Sequence, residues 1–141
     1  MTDPARRFDL PTIEPETQPF WDAAREGRFL IRRCNACGVA HHYPRPFCPE
    51  CWSENLEWEE VSGRGTLYTF STVYVNDLPP FGAQVPYVAA VVDLEEGPRV
   101  LTNVVEYDPD ELRVDMPVEV VYEALTPDIT VPRFRPRPSA P

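Results

Sequence analysis

The sequence of 141 residues contains no lysine, and all thirteen of its basic residues are arginine. The absence of lysine excludes enzymes that form a Schiff base or use a lysine base, and phosphate-binding loops that need a lysine. Positive charge is also outnumbered, since 23 acidic residues leave a formal net charge of −10 at pH 7. Because phosphate neutralisation supplies most of the affinity for DNA and RNA, this composition argues against a general nucleic-acid binder.

Long apolar runs are missing as well. No stretch approaches the roughly 20 apolar residues of a membrane helix. Residues 1–19 lack the apolar core and the small-residue cleavage site of a secretory signal. We therefore expect no membrane segment and a cytoplasmic location. In that reducing compartment, cysteines are expected to bind metal rather than to form disulfides.

Histidine is scarce, with only the adjacent residues His41 and His42. The spacing of these histidines from serine, aspartate and cysteine residues does not indicate a Ser/His/Asp or Cys/His catalytic arrangement. Paired acidic residues such as Glu59 and Glu60 are typical of solvated strand ends and turns. We therefore expect no catalytic residue in this chain when it is alone.

The four cysteines carry the clearest pattern. Cys34, Cys37, Cys48 and Cys51 are spaced Cys-x2-Cys-x10-Cys-x2-Cys. Each close pair predicts a knuckle whose backbone amides point at the sulfurs, and two knuckles together supply the four thiolates of a structural zinc site. Iron accepts the same ligands, so a one-electron redox protein is an alternative, as are two disulfides in an oxidising compartment.

Hydrophobic patterning and turn residues predict a strand-rich fold. A helix over 19–27 ends at Gly27, because glycine favours a helix stop there. Asp108 caps a short helical turn over 108–112. The predicted strands cover 29–33, 56–61, 66–75, 87–94, 99–105, 118–124 and 129–134.

From residue 66 onward, the order is three strands, a helical turn and two strands, which matches the Greek-key barrel called the OB-fold. We expect a mainly β protein with an N-terminal helix, a rubredoxin-like zinc ribbon and a five-stranded OB-fold barrel. The expected units are an arm and helix (1–27), the ribbon (28–61), the barrel (62–136) and a tail (137–141). Tyr68, Phe70 and Tyr74 are predicted to fill or line the barrel.

An ordered set of motifs accompanies the knuckles over roughly residues 18–136. The motifs are Phe20-Trp21, Glu26-Gly27, Ser62-Gly63-Arg64-Gly65, Pro86-Tyr87, Glu96-Gly97-Pro98-Arg99, Met116-Pro117-Val118 and Pro132-Arg133-Phe134. On these motifs the chain resembles a family that joins a zinc ribbon to an OB-fold and was first catalogued as a domain of unknown function. Trp52 departs from that pattern, because it stands where a glycine is usual.

The resemblance implies a role in acyl-CoA metabolism. Family members are similar to small partner subunits of thiolase-like enzymes, among them a thiolase and a steroid side-chain aldolase built on a lipid-transfer-type subunit. The chain is thus expected to be a non-catalytic subunit of a hetero-oligomeric aldolase (lyase) or thiolase (acyltransferase) that helps to bind the acyl-CoA. A nucleic-acid-binding ribbon and OB-fold module is the alternative, which the charge of −10 disfavours.

Four residues are candidates for binding acyl-CoA or the partner: Arg45, Arg64, Phe81 and Arg135. Residues 28–47 contain four arginines and no carboxylate, and arginine binds phosphate in a bidentate manner. For each arginine the alternative is a solvated charge or a surface salt bridge, and Arg64 has the further alternative of supporting a turn. Phe81 lies in a proline-rich loop, where it either covers an acyl chain or partner surface or closes one end of the barrel.

Overall fold

The computed structural model describes residues 7–138, so residues 1–6 of the predicted arm and 139–141 of the predicted tail lie outside it. Helix α1 spans Gln18–Arg25 and buries Phe20, Trp21 and Ala24 on one face. It ends before Gly27, whose φ of 76° is the left-handed conformation that glycine adopts without strain. No helix in the described range is long and apolar enough to cross a membrane.

The ribbon contains a three-stranded antiparallel sheet. Strand β1 (Phe29–Cys34) lies between β2 (Ala40–His41) and β3 (Leu56–Val61). Strand β2 was not predicted, because two residues carry too little pattern to be recognised.

Cross-strand ion pairs change the expected charge of this region. Arg33 pairs with Glu59 at 2.8 Å, and Arg28 pairs with Glu60 at 3.1 Å. The run of arginines in 28–47 is therefore partly neutralised by carboxylates on β3.

Two glycines join the ribbon to the barrel. Gly63 has a φ of 77°, and a Cβ added there would collide with the side chain of Val120. A Cβ on Gly65 would collide with the backbone oxygen of Asp93. Only glycine fits this close approach of the connection to strands of the barrel.

The remaining strands form a closed five-stranded barrel, as predicted. Its strands are β4 (Arg64–Val73), β5 (Tyr87–Leu94), β6 (Arg99–Val104), β7 (Pro117–Ala124) and β8 (Thr130–Pro136). They are ordered β4-β5-β6-β8-β7, and β7 returns to β4. Most neighbours are antiparallel, but β6 and β8 are parallel and share one register pair, Val104 with Phe134. The side chain of Arg133 bridges this short contact by donating from Nη1 to Oδ1 of Asn103 at 2.7 Å.

One apolar core links all three parts of the chain. Val88, Ala90 and Val92 of β5 point into the barrel, where they meet Phe134 of β8. The ring of Phe29 lies 6.2 Å from that of Phe134, between ring centroids, so the ribbon packs on the barrel. Because helix and ribbon residues belong to the same buried cluster, they are held in a fixed position against the barrel.

The prediction that Tyr68, Phe70 and Tyr74 fill or line the barrel was wrong in part. A bulge between Leu67 and Thr69 shifts the register of β4 against β5. Phe70 packs against the core, but Tyr68 and Tyr74 are exposed, and Arg99 lies 3.7 Å above the ring of Tyr68. The predicted helical turn near Asp108 is a single hydrogen-bonded turn, in which Glu111 donates its backbone N–H to the Asp108 carbonyl.

Candidate functional site: a four-cysteine centre and a groove beneath the arm

The four cysteine sulfurs lie together at one end of the ribbon, all within 4.8 Å of one another. The closest pairs join the two knuckles, with Cys34 Sγ at 3.5 Å from Cys51 Sγ and Cys37 Sγ at 3.7 Å from Cys48 Sγ. A tetrahedral zinc with Zn–S bonds of about 2.3 Å places its sulfurs about 3.8 Å apart. All four cysteines are free, and their arrangement fits one four-thiolate metal ion.

Backbone amides support the thiolate form of these cysteines. The N–H of Cys37 lies 3.5 Å from the sulfur of Cys34, and the N–H of Glu50 lies 3.4 Å from that of Cys48. The hydrogen bond from Cys37 lowers the pKa of the Cys34 thiol to about 6. The two buried sulfurs, one from each knuckle, thus receive a backbone donor that favours the anion a metal requires.

An aromatic pair of exposed Trp52 and half-buried Phe47 lies beside the second knuckle. Trp52 is 72% exposed and has a φ of 67°, a left-handed conformation that is uncommon for a large side chain. Its ring stacks on Phe47 with centroids 5.2 Å apart and planes at 6°. We call Phe47 and Trp52 the ribbon aromatic pair. Arg45, two residues before Phe47, is also exposed.

A second feature is a groove between the N-terminal arm and the barrel. The arm is anchored at two points: the N–H of Phe8 donates to the Pro79 carbonyl at 3.1 Å, and Arg7 Nη1 donates to the Leu125 carbonyl at 3.2 Å. Beneath residues 8–11 is a cavity of about 540 Å³, here called the arm groove. Its other walls come from α1, the ribbon, the loop before β5 and strands β5, β6 and β8.

The arm groove continues toward a second cavity of about 370 Å³. The two cavities share four lining residues: Phe81, Tyr87, Asn103 and Arg133. The two adjoining cavities, here together called the channel, lie along the outside of the barrel, over the short contact between β6 and β8.

The charged groups along the arm groove are paired. Arg7 holds Asp9 with two hydrogen bonds, of 2.9 Å and 2.6 Å, and these lower the pKa of the Asp9 carboxyl. Arg133 donates to Glu123 at 3.2 Å as well as to Asn103. The groove therefore contains charges of both signs without an evident excess of either.

His42 is a neutral member of the groove wall. Its ring stacks on Phe29 at 5.4 Å and meets the edge of Phe20 at 5.5 Å, between centroids. Burial lowers the pKa of His42 to about 4, and repulsion from His41 adds to the effect. At neutral pH this imidazole is therefore uncharged.

The four candidates chosen from the sequence are not brought together. Phe81 lines both cavities, whereas the three arginines line neither. Arg64 pairs with Glu95 at 3.3 Å, and Arg135 pairs with Glu119 at 3.3 Å. Arg45 has no ion pair within residues 7–138.

The structure adds groove residues that the sequence did not single out. Arg133 was visible only as part of the motif Pro132-Arg133-Phe134. Trp21 was visible only as part of the motif Phe20-Trp21. Neither had a signal that could connect it to Phe81, since the groove is formed by segments far apart in sequence.

The ribbon and barrel correspond to two known domain families. Residues 21–57 match the rubredoxin-like zinc ribbon domain of ChsH2, and residues 58–123 match the C-terminal OB-fold domain of ChsH2. The chain belongs to this zinc-ribbon and OB-fold family, also called DUF35. The family resemblance expected from the sequence motifs is thereby confirmed.

Two similar proteins correspond to the ribbon and barrel over most of their own length. A solved structure described as an Ltp2-ChsH2(DUF35) aldolase contains a chain 36% identical to this one, with a TM-score of 0.78, covering 90% of this chain and 98% of that one. A benzoylsuccinyl-CoA thiolase subunit BbsA from Thauera aromatica is 34% identical, over 83% of this chain and 78% of the relative.

The third relative is much longer. A probable enoyl-CoA hydratase alpha subunit from Thermomonospora curvata is 36% identical over 89% of this chain, but the chain spans only 39% of that relative. The match therefore concerns the ribbon and barrel unit and not the whole of the longer protein.

Proposed function

We propose that this chain is an accessory subunit that binds a thiolase-like enzyme and helps to hold its acyl-CoA, while the partner carries out the chemistry. The observation that carries the proposal is the likeness, at 36% identity over nearly the whole of the other chain, to the DUF35 component of an Ltp2-ChsH2 aldolase. The similarity to a benzoylsuccinyl-CoA thiolase subunit supports the same role. The complex is a hetero-oligomer in the cytoplasm with aldolase (lyase) or thiolase (acyltransferase) activity.

Zinc is the metal we assign to Cys34, Cys37, Cys48 and Cys51. The sulfur arrangement leaves no ligand position for water or substrate once four thiolates are bound, so the role of the ion is to stabilise the ribbon. This assignment is consistent with the match to a zinc ribbon family.

The ribbon aromatic pair is our candidate contact with the partner. Tryptophan and arginine are the residues that most often dominate binding energy at protein interfaces. Trp52 is held outward in a conformation that costs about 1–2 kcal/mol, which is unexpected for a residue without a role. Arg45 lies close by in sequence and has no described ion pair that binding would have to break.

Arg45 is also our first candidate for the CoA phosphates. Its guanidinium is exposed, and a free guanidinium can donate two parallel hydrogen bonds to phosphate oxygens. Arg64 and Arg135 are further candidates, but each would have to exchange a carboxylate partner for the phosphate. Phe81, in the groove wall, is placed to cover part of the acyl group.

The test is purification of the tagged full-length chain from its native lysate, followed by mass spectrometry. We expect a thiolase-fold subunit in near-equal amount, and cleavage or transfer of a CoA thioester only when both proteins are present. Recovery of oligonucleotides instead, or activity of the partner that is unchanged without this chain, would contradict the proposal.

Two variants then locate the contacts. Trp52→Gly should keep the fold and metal but lower capture of the partner at least tenfold, whereas Tyr74→Ala, which removes an equally exposed aromatic ring outside the ribbon, should not. Arg45→Ala should weaken CoA binding by about tenfold without lowering the melting temperature, because a charge-assisted contact contributes about 1.5–3 kcal/mol. Unchanged affinity for both CoA and partner would return Arg45 to the class of solvated charges.

A further inference from the structure

One face of the ribbon sheet carries an arginine without a carboxylate. Because side chains alternate along a strand, Arg32 lies on the opposite face of β1 from Phe29 and Ile31, which belong to the apolar core. In the strand pairing, Arg32 is directly opposite His41 of β2 and Trp58 of β3. Arginine, histidine and tryptophan therefore form one row across the same face of the sheet.

The residue across from Arg32 on β3 explains why this arginine is unpaired. Glutamates of β3 hold Arg28 and Arg33 on either side of it. Trp58 stands opposite Arg32 instead, and the guanidinium carbon lies 4.4 Å from the centroid of its ring. This cation–π contact uses the flat face of the guanidinium and none of its N–H groups. Within residues 7–138 the guanidinium of Arg32 has no ion pair and no hydrogen bond.

The accessible part of Arg32 is its terminal edge. The residue is half-buried, and its Nε is buried without a partner, whereas the two Nη groups retain contact with solvent. These Nη groups can donate hydrogen bonds to an external anion without displacing a carboxylate. A half-buried charge without a counter-ion costs free energy, which such an anion would reduce.

A second uncommitted guanidinium lies near this row. Arg45, in the loop after β2, is exposed and has no ion pair among the described residues. Burial lowers the pKa of His41, and repulsion from Arg32 and Arg45 lowers it further. Both guanidinium groups therefore act on the same imidazole, and no carboxylate of residues 7–138 opposes them there. We call Arg32, His41, Arg45 and Trp58 the cationic ribbon face.

The charge of this face indicates the kind of anion that it fits. The chain has a net charge of −10, yet the fold leaves these two arginines without a carboxylate. A carboxylate satisfies one guanidinium, because its two oxygens form a single bidentate pair. A phosphomonoester has three terminal oxygens and a charge of about −1.5 to −2 at pH 7, so it can accept hydrogen bonds from two guanidinium groups.

We propose that the cationic ribbon face binds a phosphomonoester, and that in the acyl-CoA this group is the 3′-phosphate of the ribose. Arg32 supplies a pair of N–H donors that its contact with Trp58 holds in place, and Arg45 supplies the second guanidinium. The identity of the ligand rests on the proposed function, and the site specifies which phosphate the ribbon holds. The pyrophosphate of CoA has no phosphomonoester and binds elsewhere.

Two adenosine nucleotides test the site on the full-length, zinc-loaded chain alone. Adenosine 3′-monophosphate carries a phosphomonoester, whereas 3′,5′-cyclic adenosine monophosphate has the same base and sugar with a singly charged phosphodiester. In NMR titrations we expect the first to shift the amide signals of Arg32, His41 and Trp58, and to bind at least about tenfold more tightly than the second. Equal affinities would overturn the site.

Matched variants connect this selectivity to Arg32. Arg32→Gln should remove the advantage of the phosphomonoester, and Arg32→Lys should keep part of it, because lysine retains the charge but not the paired donors. Arg28→Gln removes the same charge from a guanidinium already held by carboxylates, and should preserve the advantage. Metal content and melting temperature show whether each variant keeps the ribbon. Full selectivity in a folded Arg32→Gln protein would contradict the assignment.

The captured complex identifies the source of the phosphate. Acetyl-CoA and its 3′-dephospho analogue differ only in the 3′-phosphate, so acetyl-CoA should bind at least about tenfold more tightly, and Arg32→Gln should remove most of that difference. Equal affinity for both thioesters would overturn the assignment to the 3′-phosphate.

Other outcomes separate this site from the proposed function. Loss of partner capture in Arg32→Gln, with nucleotide selectivity unchanged in the chain alone, would make the cationic ribbon face a protein interface and overturn the phosphate site. Absence of a thiolase-fold partner would overturn the proposed function, and the nucleotide titrations on the isolated chain would still decide whether this face binds a phosphomonoester.

Discussion

The two cysteine knuckles have the same backbone but different residues at the same position. In the first, the N–H of Gly38 donates to the Cys34 carbonyl at 2.9 Å, and in the second the N–H of Trp52 donates to the Cys48 carbonyl at 2.9 Å. The φ angles are 81° at Gly38 and 67° at Trp52. Metal-binding geometry thus fixes the backbone conformation of the knuckle, and does not by itself require a glycine.

What differs is the surface that each knuckle presents. A Cβ at Gly38 would meet no atom within 4 Å, so nothing but backbone strain disfavours a side chain there. Trp52 bears that strain and places a large ring in solvent, stacked on Phe47. This difference between the knuckles is the reason for our proposal that Trp52 contacts a partner.

Removal of one cysteine ligand of the metal should have the largest effect on stability, whichever knuckle carries that cysteine. Cys34→Ser or Cys48→Ser is expected to release the metal and unfold the ribbon, because structural zinc contributes on the order of 10 kcal/mol to folding. Metal analysis and thermal melting measure this. Glu50→Gln changes a residue between two of the ligands and is the control, which should retain one metal ion. A Cys48→Ser protein with full metal content and an unchanged melting temperature would contradict the assignment of a structural metal to the four cysteines.

A side chain at the first knuckle should produce the next largest effect. Gly38→Ala is expected to lower the unfolding free energy by about 1–2 kcal/mol, because the left-handed conformation is strained for alanine. Steric contact adds nothing to this cost, since no atom lies within 4 Å of the added Cβ. Denaturant titration of the metal-loaded protein measures the change. Gly38→Asn is the matched control and should cost less, since asparagine tolerates this conformation. Equal stability of all three proteins would mean that the knuckles do not impose strain.

The reverse change at the second knuckle should have a smaller effect on stability. Trp52→Gly removes the strain but also the stacking on Phe47, so the unfolding free energy should remain within about 1 kcal/mol of the parent value. Denaturant titration again provides the value. A loss of several kcal/mol would show that the ribbon aromatic pair supports the fold, and would remove the argument from strain to recognition.

Near neutral pH, the segment between the knuckles should give the smallest effect. Because an unfolded histidine has a pKa of about 6.5 and burial lowers that of His42 to about 4, the unfolded chain binds a proton in this interval that the folded chain does not. This group therefore makes stability rise with pH through the window between those values. NMR of the imidazole at pH 6 should find His42 neutral, and a protonated ring there would contradict its burial.

Local patterns explain what could be predicted from the sequence. The spacing of the cysteines predicted the four-sulfur centre, and hydrophobic patterning and turn residues predicted β5 and β6 within a residue of their observed ends. Glycine at position 27 predicted the end of α1 for the same local reason.

Non-local packing explains what could not be predicted. The bulge between Leu67 and Thr69 places Tyr68 and Phe70 on opposite faces of the strand, and no residue type in β4 predicts it. Residues 28–47 contain four arginines and no carboxylate, but the fold places Glu60 of β3 beside Arg28 and Glu59 of β3 beside Arg33. The arm groove depends on how Phe8, Trp21 and Leu101 meet in space, which one sequence without its fold does not reveal.

The short parallel contact that closes the barrel has a dynamic consequence. β6 and β8 share one register pair, fewer than any other neighbouring strands of the barrel, so separating them breaks the fewest backbone hydrogen bonds. Local opening of the wall is therefore least costly along this seam, and amide hydrogen exchange should be fastest on the facing edges of these two strands. The channel lies over that seam, so local separation of β6 and β8 would change the shape of the channel while the other strands of the barrel remain paired.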